Sequence, residues 1–318
     1  MRIAYIVNPV AGTGRAWAVW RRLVAKHPRL EQDALVTQEP NDAQRIVPKA
    51  VDKGYDAVVA VGGDGTLHEV LNGALESRRV PAIGVIPAGT GNDFARSISL
   101  PRDPERAYQA CLSGRVEPID VGLVNGRPYI NVAGFGFDAA VADEVIRRAA
   151  SGRRGSGTIP YLLAVFNQLR RFRPRALSIE TDGSVRSGRI LLGAVGNGST
   201  YGGGMRICPR AKVDDGTLDF CVVGDLGPLQ TALNLAKVFT GSHLSHPKCL
   251  YQQASKIAVD GDPSVQVHAD GQLMGTLPVT FEIRPRAIRF LVGPHFIPTP
   301  EGRRNSADPS SRQLGLDA

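Results

Sequence analysis

The sequence predicts an α/β protein of two domains, a doubly wound parallel N-terminal domain and a mostly antiparallel C-terminal one of sandwich or barrel type. Three observations carry this expectation. Short continuous apolar runs alternate with helix-period segments over roughly the first third of the chain. Beyond about residue 122 strands follow one another, ending in Gly, Asp or Pro turns, with few helices between them. The length, 318 residues with 42% apolar and 21% charged side chains, suits two ordinary folded domains.

The elements of the first domain follow in order. "RIAYIV" (2 to 7) reads as a strand, 15 to 26 as a helix, "DALVT" (33 to 37) as a strand and 41 to 53 as a helix. "DAVVAV" (56 to 61), a helix at 66 to 77 and "AIGVI" (82 to 86) continue the alternation. Strands of unbroken β-branched and small apolar residues are covered on both faces, which places helices on either side of a parallel sheet. The second domain begins with "RPYINVAGFGFD" and continues through "RALSIETDG", "SGRILLGAVGNG", "GTLDFCVVGD", "SKIAVDG", "SVQVHADG", "PVTFEIRP" and "AIRFLVG". Helices are expected at 137 to 149, 158 to 171 and 228 to 240. The boundaries expected are 1–122 and 123–298, with the last strand able to pack back on the first domain. The polar, Pro- and Ser-containing stretch 299–318 reads as a disordered tail.

The net charge of +8, 38 basic against 30 acidic residues, favours an anionic partner. Nucleic acid is not expected: no RNP, KH or helix-turn-helix pattern is present, and aromatic residues make up only 6%. Cys111, Cys208, Cys221 and Cys249 are widely spaced, without C-x-x-C pairing. Neither a disulfide framework nor a zinc site is therefore expected, and a reducing cytoplasm is the simpler reading. The first apolar run stops at Asn8-Pro9, short of a signal sequence, and no apolar stretch reaches the ~18 residues of a spanning helix.

Three glycine loops follow three strands: "NPVAGTGR" (8 to 15), "GGDGT" (62 to 66) and "PAGTGNDFAR" (87 to 96). Ligands of open α/β sheets bind at the carboxyl ends of strands, so such loops together suit phosphate binding through backbone N–H groups and hydroxyls. No P-loop or dinucleotide fingerprint is present. Asp64 among the glycines would repel a polyphosphate unless Mg²⁺ lies between them.

"GGDGTLHEVLNG" with "GVIPAGTGNDFARS" resembles the catalytic domain of diacylglycerol kinases, bacterial soluble lipid kinases and sphingosine kinases, which are more distantly related to NAD kinases. "PRAKVDDGTLDF" (209 to 220) and "HADGQ" (268 to 272) resemble later motifs of the family, in order. The resemblance implies an NAD-kinase-like first domain, a β-sandwich second domain and an interdomain active site. It implies ATP along Asn8, Pro9, Gly12, Thr37, Gly62, Gly63, Asp64, Gly65, Thr66, Leu67, His68 and Thr90. Asp93 would face the acceptor hydroxyl or help place the metal. Asp215, with the carbonyls of Lys212 and Thr217, would hold a structural Mg²⁺. The implied reaction is in-line phosphoryl transfer from ATP to diacylglycerol or a similar long-chain alcohol, in a cytoplasmic protein able to visit the inner membrane surface.

The sequence departs from the family at Gln272, where a "DGE" glutamate is common. A glutamine orients a hydroxyl but does not take its proton. Asp270 is the first expectation for the missing carboxylate and Asp64 the better-placed alternative; a non-catalytic nucleotide- or lipid-binding regulator is the competing reading, and an NAD or sugar kinase fits only "GGDGT". The apolar segment 158 to 169, flanked by the basic runs 147 to 154 and 170 to 175, reads either as a core helix or as one that lies on an anionic membrane.

Overall fold

A computed structural model describes residues 1–150, 159–181 and 184–300. The predicted tail beyond 300 and most of the basic run after 150 lie outside the described residues. The chain divides into two compact units, Met1–Asp120 with Arg286–Pro298, and Val121–Pro285 with Thr299 and Pro300.

In chain order the first unit holds β1 (Ile3–Val7), α1 (Arg15–Lys26), β2 (Ala34–Val36), α2 (Asp42–Asp52), β3 (Ala57–Gly62), α3 (Asp64–Glu76), β4 (Ala82–Pro87), α4 (Asp93–Ser97) and α5 (Pro104–Ser113). β5 (Val116–Val124) carries the chain into the second unit. There follow β6 (Arg127–Tyr129), β7 (Val132–Gly136), α6 (Phe137–Ala150), α7 (Ile159–Arg171), β8 (Arg175–Thr181), β9 (Ser184–Gly196), β10 (Leu218–Gly224) and α8 (Pro228–Thr240). The last strands are β11 (Cys249–Ala254), β12 (Lys256–Gly261), β13 (Gln266–Ala269), β14 (Gln272–Thr276) and β15 (Val279–Leu291), whose end returns to the first unit.

In the first unit β2, β1, β3 and β4 run parallel in that order, and the end of β15 adds a fifth parallel strand beside β4 through Arg289 and Phe290. Alternate side chains divide between two faces. Tyr5, Val7, Val59 and Val61 pack with Trp20 and Leu23 of α1 and Tyr108 of α5. All six residues of β3 and of β4 are buried, the expected signature of a parallel sheet covered on both sides.

The second unit is antiparallel. Its ladder runs β14, β13, β7, β9, β8, β12 and the start of β15, with β10 pairing β9 and β11 pairing β10. Phe135, Phe220 and Phe281 anchor its core. A second cluster joins Phe137 and Val141 of α6 to Val165 and Leu169 of α7 and to Leu191 and Leu226.

The structure adds what the pattern reading left blank. α4, α5 and β5 occupy the stretch after residue 92, where no element was expected beyond the fourth strand's loop. α5 had a legible start: the Asp103 carboxylate accepts from the Arg106 N–H at 3.0 Å, with Pro104 in the first turn. The helix after β3 begins at Asp64 rather than 66, so most of "GGDGT" is a helix start, not a loop.

Candidate functional site

The three glycine loops pack against one another in the first unit. Each glycine that matters is where a side chain would strike the next loop. A Cβ on Gly12 (φ 60°) would sit 2.6 Å from the Ala88 carbonyl, one on Gly89 2.4 Å from the Gly63 Cα, and one on Gly62 2.4 Å from the Thr66 hydroxyl. Hydrogen bonds lace the same contacts: the Ala88 and Gly89 N–H groups donate to the Gly62 carbonyl at 2.8 and 3.1 Å. The Asn8 side-chain amide donates to Thr66 Oγ1 at 3.1 Å, while its Oδ1 accepts from Val10 N–H at 3.2 Å.

α3 supplies the anion-binding end. Its first intrahelical bond runs from Leu67 N–H to the Gly63 carbonyl, so the amides before Leu67 point out of the helix, where phosphate oxygens are well received. Gly65 and Thr90 are exposed. Thr37 is buried, its N–H given to the Val7 carbonyl at 2.9 Å. Leu67 and His68 are buried too, and Leu67, fully apolar, serves the core rather than a ligand. Pro9 is half-buried beside Asn8.

Asp64 and Asp93, twenty-nine positions apart in the numbering, flank Gly91. A Cβ there would lie 3.1 Å from Asp64 Oδ2 and 2.9 Å from Asp93 Oδ2. Asp64 Oδ1 accepts from the Phe94 N–H at 3.1 Å, and Asp93, buried, is paired with Arg96. Two carboxylates beside a helix start repel each other and a polyphosphate alike, and a hard dication between them removes both penalties.

In the second unit, Asp270 and Gly271 make the two-residue turn of the β13–β14 hairpin, with φ of 49° and 78°, the left-handed pair that Asp-Gly accommodates. The structure gives Asp270, expected as the base, a role in holding the backbone as well. Its two oxygens accept from the Ile130 and Asn131 N–H groups, each at 2.9 Å, so the carboxylate clamps the approach to β7. Gln272, half-buried, pairs with Ala269 at the hairpin end.

Asp215 Oδ1 accepts from the N–H and hydroxyl of Thr217 at 3.1 and 2.8 Å, closing a tight turn after Lys212. Gln253 donates to Asp215 Oδ2 at 3.3 Å and to Asp219 Oδ2 at 3.2 Å, and Tyr251 donates to Asp219 Oδ1 at 2.6 Å. Burial pushes the Asp215 carboxyl above its ordinary range and that of Asp219 up to about 6. An all-oxygen acidic set of this kind fits Mg²⁺.

Two residues escaped the sequence reading. Asp138 on α6 and His268 on β13 are buried and joined, Nε2 to Oδ2, at 2.8 Å. Gly134 makes room, since a Cβ there would lie 2.6 Å from Asp138 Oδ2 and 2.9 Å from His268 Nε2. Asp138 also lines an apolar cavity of about 60 Å³, partly open, walled by Phe137, Val165, Leu191, Met205, Val223 and Leu235 among others. The two residues are 130 positions apart, beyond any local pattern.

Comparison with known proteins fits this geometry. The diacylglycerol kinase catalytic domain family matches residues 2–124, and the family described as YegS C-terminal NAD kinase beta sandwich-like domain matches residues 131–292. Diacylglycerol kinases of Staphylococcus aureus strains JH9 and Newman are each 34% identical over 253 residues, 79% of this chain and 79% of theirs. A Bacillus anthracis str. Sterne crystal structure, provisionally described as a diacylglycerol kinase, superposes with a TM-score of 0.77 at 26% identity, covering 93% of this chain and 96% of that one. A second from the same strain, at 23% identity and a TM-score of 0.70, has the same fold. With its N-terminal glycine loops and antiparallel C-terminal unit both matched, the chain belongs to the diacylglycerol kinase family.

Proposed function

We propose that the protein is an ATP- and Mg²⁺-dependent kinase that phosphorylates the hydroxyl of diacylglycerol or a similar long-chain lipid alcohol. The observation that carries this reading is the interlocked set of glycine turns in the first unit, with Asp64 and Asp93 on either side of Gly91. Such a cradle of backbone amides and carboxylates fits a metal-bound polyphosphate, which binds by position and charge neutralisation rather than by covalent chemistry. MgATP, when bound, supplies the phosphoryl group and the positive charge that offsets its oxygens.

The chain's own residues do the rest. The amides at the start of α3 and in the loops after β1 and β4 hold phosphate oxygens. Asn8 fixes Thr66, and with it the first turn of α3. Asp64 takes the hydroxyl proton, a role worth roughly 10² to 10⁴ in rate, and the Asp93–Arg96 pair stiffens the loop beside it. Gln272 orients the hydroxyl without accepting its proton. Asp215, with the Lys212 and Thr217 carbonyls, holds a structural Mg²⁺. The apolar cavity receives an acyl chain, with Asp138 among the polar groups on its wall.

Contact with an anionic membrane is part of this reading. Leu163 and Phe166 of α7 are 51% and 63% exposed, and Leu229 and Leu233 of α8 are 74% and 64% exposed, although Val165 and Leu235 on the same helices line the cavity. Exposed Arg171 ends α7 and exposed Arg173 follows it. Apolar side chains standing out from helices with basic flanks favour an acidic lipid surface. Among the described residues no helix is long and apolar enough to cross a membrane.

Transfer of labelled phosphate from ATP to diacylglycerol in acidic vesicles tests the reading. Product with the wild type and little with Asp64→Asn supports it. Gln272 favours a second reading, a nucleotide-binding regulator; nucleotide binding without product, and product only from Gln272→Glu, would establish that instead.

A further inference from the structure

Cys221 stands 22 positions before His243 and 28 before Cys249, and the three meet in the second unit. In the β10–β11 ladder Cys221 stands opposite Tyr251 and Cys249 opposite Val223, which puts both thiols on one face along a diagonal. His243 lies in the single 3₁₀ turn Ser242–Ser245, on the connection from α8 to β11. The two Sγ atoms are 3.6 Å apart, His243 Nε2 is 3.8 Å from Cys221 Sγ, and the three ligand atoms all lie within 4.8 Å of one another. Cys221 and His243 are buried and Cys249 is half-buried.

Tetrahedral zinc, with Zn–S near 2.3 Å and Zn–N near 2.0 to 2.1 Å, requires S···S of about 3.8 Å and S···N of about 3.5 Å. The Cys221–Cys249 and Cys221–His243 spacings depart from these by about 0.3 Å or less, and His243 and Cys249 lie within the 4.8 Å that bounds the set. His243 Nε2 lies 3.1 Å from the Ile207 carbonyl, to which it donates, so metal binding exchanges that hydrogen bond for a Zn–N bond and moves the ring proton to Nδ1. Two thiolates and a neutral imidazole then balance a dication, so the completed site adds no net charge to the interior. Thiolate ligands select zinc over magnesium or calcium.

We propose that Cys221, His243 and Cys249 bind one Zn²⁺, pinning the α8–β11 connection to β10 at the edge of the apolar cavity. The fourth position faces that cavity, whose wall His243, His246 and Cys249 share; water or the His246 imidazole completes the shell. On binding, two S–H bonds break, two S–Zn bonds form and two protons leave to solvent, with no change of oxidation state. The site uses other residues than the oxygen-ligand metal positions and does not depend on the kinase reading.

The test uses the full chain freed of any affinity tag. Zn²⁺ titrated against a chromophoric chelator is expected to bind at one equivalent with a dissociation constant of about 1 nM or lower. Cys221→Ser, Cys249→Ser and His243→Gln each lose that equivalent, and Cys111→Ser keeps it. Co²⁺ on the unaltered chain gives a thiolate-to-metal charge-transfer band, which decides the matter even if the variants unfold. Zinc held no tighter than about 10 μM, a Co²⁺ complex without the thiolate band, or a Cys221–Cys249 disulfide in the protein as isolated would each overturn the proposal.

Discussion

The same dipeptide, Asp-Gly, does opposite work in the two units. In the first, Asp64-Gly65 opens α3, and the Asp64 side chain spends one oxygen on the Phe94 amide while the other lies near Gly91. In the second, Asp270-Gly271 closes a hairpin, and both Asp270 oxygens are held by backbone amides. The first carboxylate stands among the glycine loops beside Asp93; the second, with both oxygens on the main chain, serves the fold. The contrast extends to whole units. The first builds its site from backbone and glycine within ninety-odd residues, whereas the second assembles Asp138 with His268 and Cys221 with His243 and Cys249 across strands and helices.

The largest test of this contrast is one substitution made at both positions. Asp64→Asn is expected to cut phosphoryl transfer by about 10² to 10⁴-fold with little change in the unfolding midpoint, because asparagine still accepts from Phe94. Asp270→Asn is expected to cost about 1 to 3 kcal/mol of stability, read by denaturant unfolding, and to leave turnover of the folded fraction nearly intact. Equal losses of activity with equal stability would erase the distinction.

Glycines sharpen it next. Gly89→Ala drives a methyl group into the Gly63 backbone and is expected to cost about 1 to 3 kcal/mol and to weaken nucleotide binding. Gly271→Ala meets no atom within 4 Å and should lose only about 1 to 2 kcal/mol for its left-handed backbone, with nucleotide binding unchanged by fluorescence titration.

At the surface of the second unit, Phe166→Asp with Leu233→Asp should reduce flotation with acidic vesicles by about tenfold or more without moving the thermal midpoint. The smallest effect concerns Glu69, whose Oε2 accepts from Ala43 N–H at 3.2 Å and whose carboxyl burial holds above its ordinary value. Its folded-state proton is released at higher pH than in the unfolded chain, so ionisation costs stability as pH rises through and above the ordinary carboxylate range. Glu69→Gln is expected to be slightly more stable than wild type near neutral pH, with the gain vanishing in acid.

Much of the first unit was legible because its signals are local. Residues 15 to 26 read as a helix from their period and form one at Arg15–Lys26. Valine and isoleucine runs marked β3 and β4, and glycine marked the turns between. The start of α3 was misplaced by two residues because Gly65 has poor helix propensity, and the tight packing of Gly63 on Gly89 overrides it. α4 is a five-residue helix, too short to show a period.

By itself the sequence determined the alternation of strands and helices, the change to antiparallel strands, the positions of the glycine turns and the family, since each rests on residues close together in the chain. Only the tertiary structure decided which carboxylate is committed to the backbone, that Asp138 meets His268 beside an apolar cavity, and that three dispersed thiol and imidazole groups share one corner. Those facts depend on strand register and helix docking. The free energies that set them belong to contacts between distant residues, for which spacing along the chain holds no record.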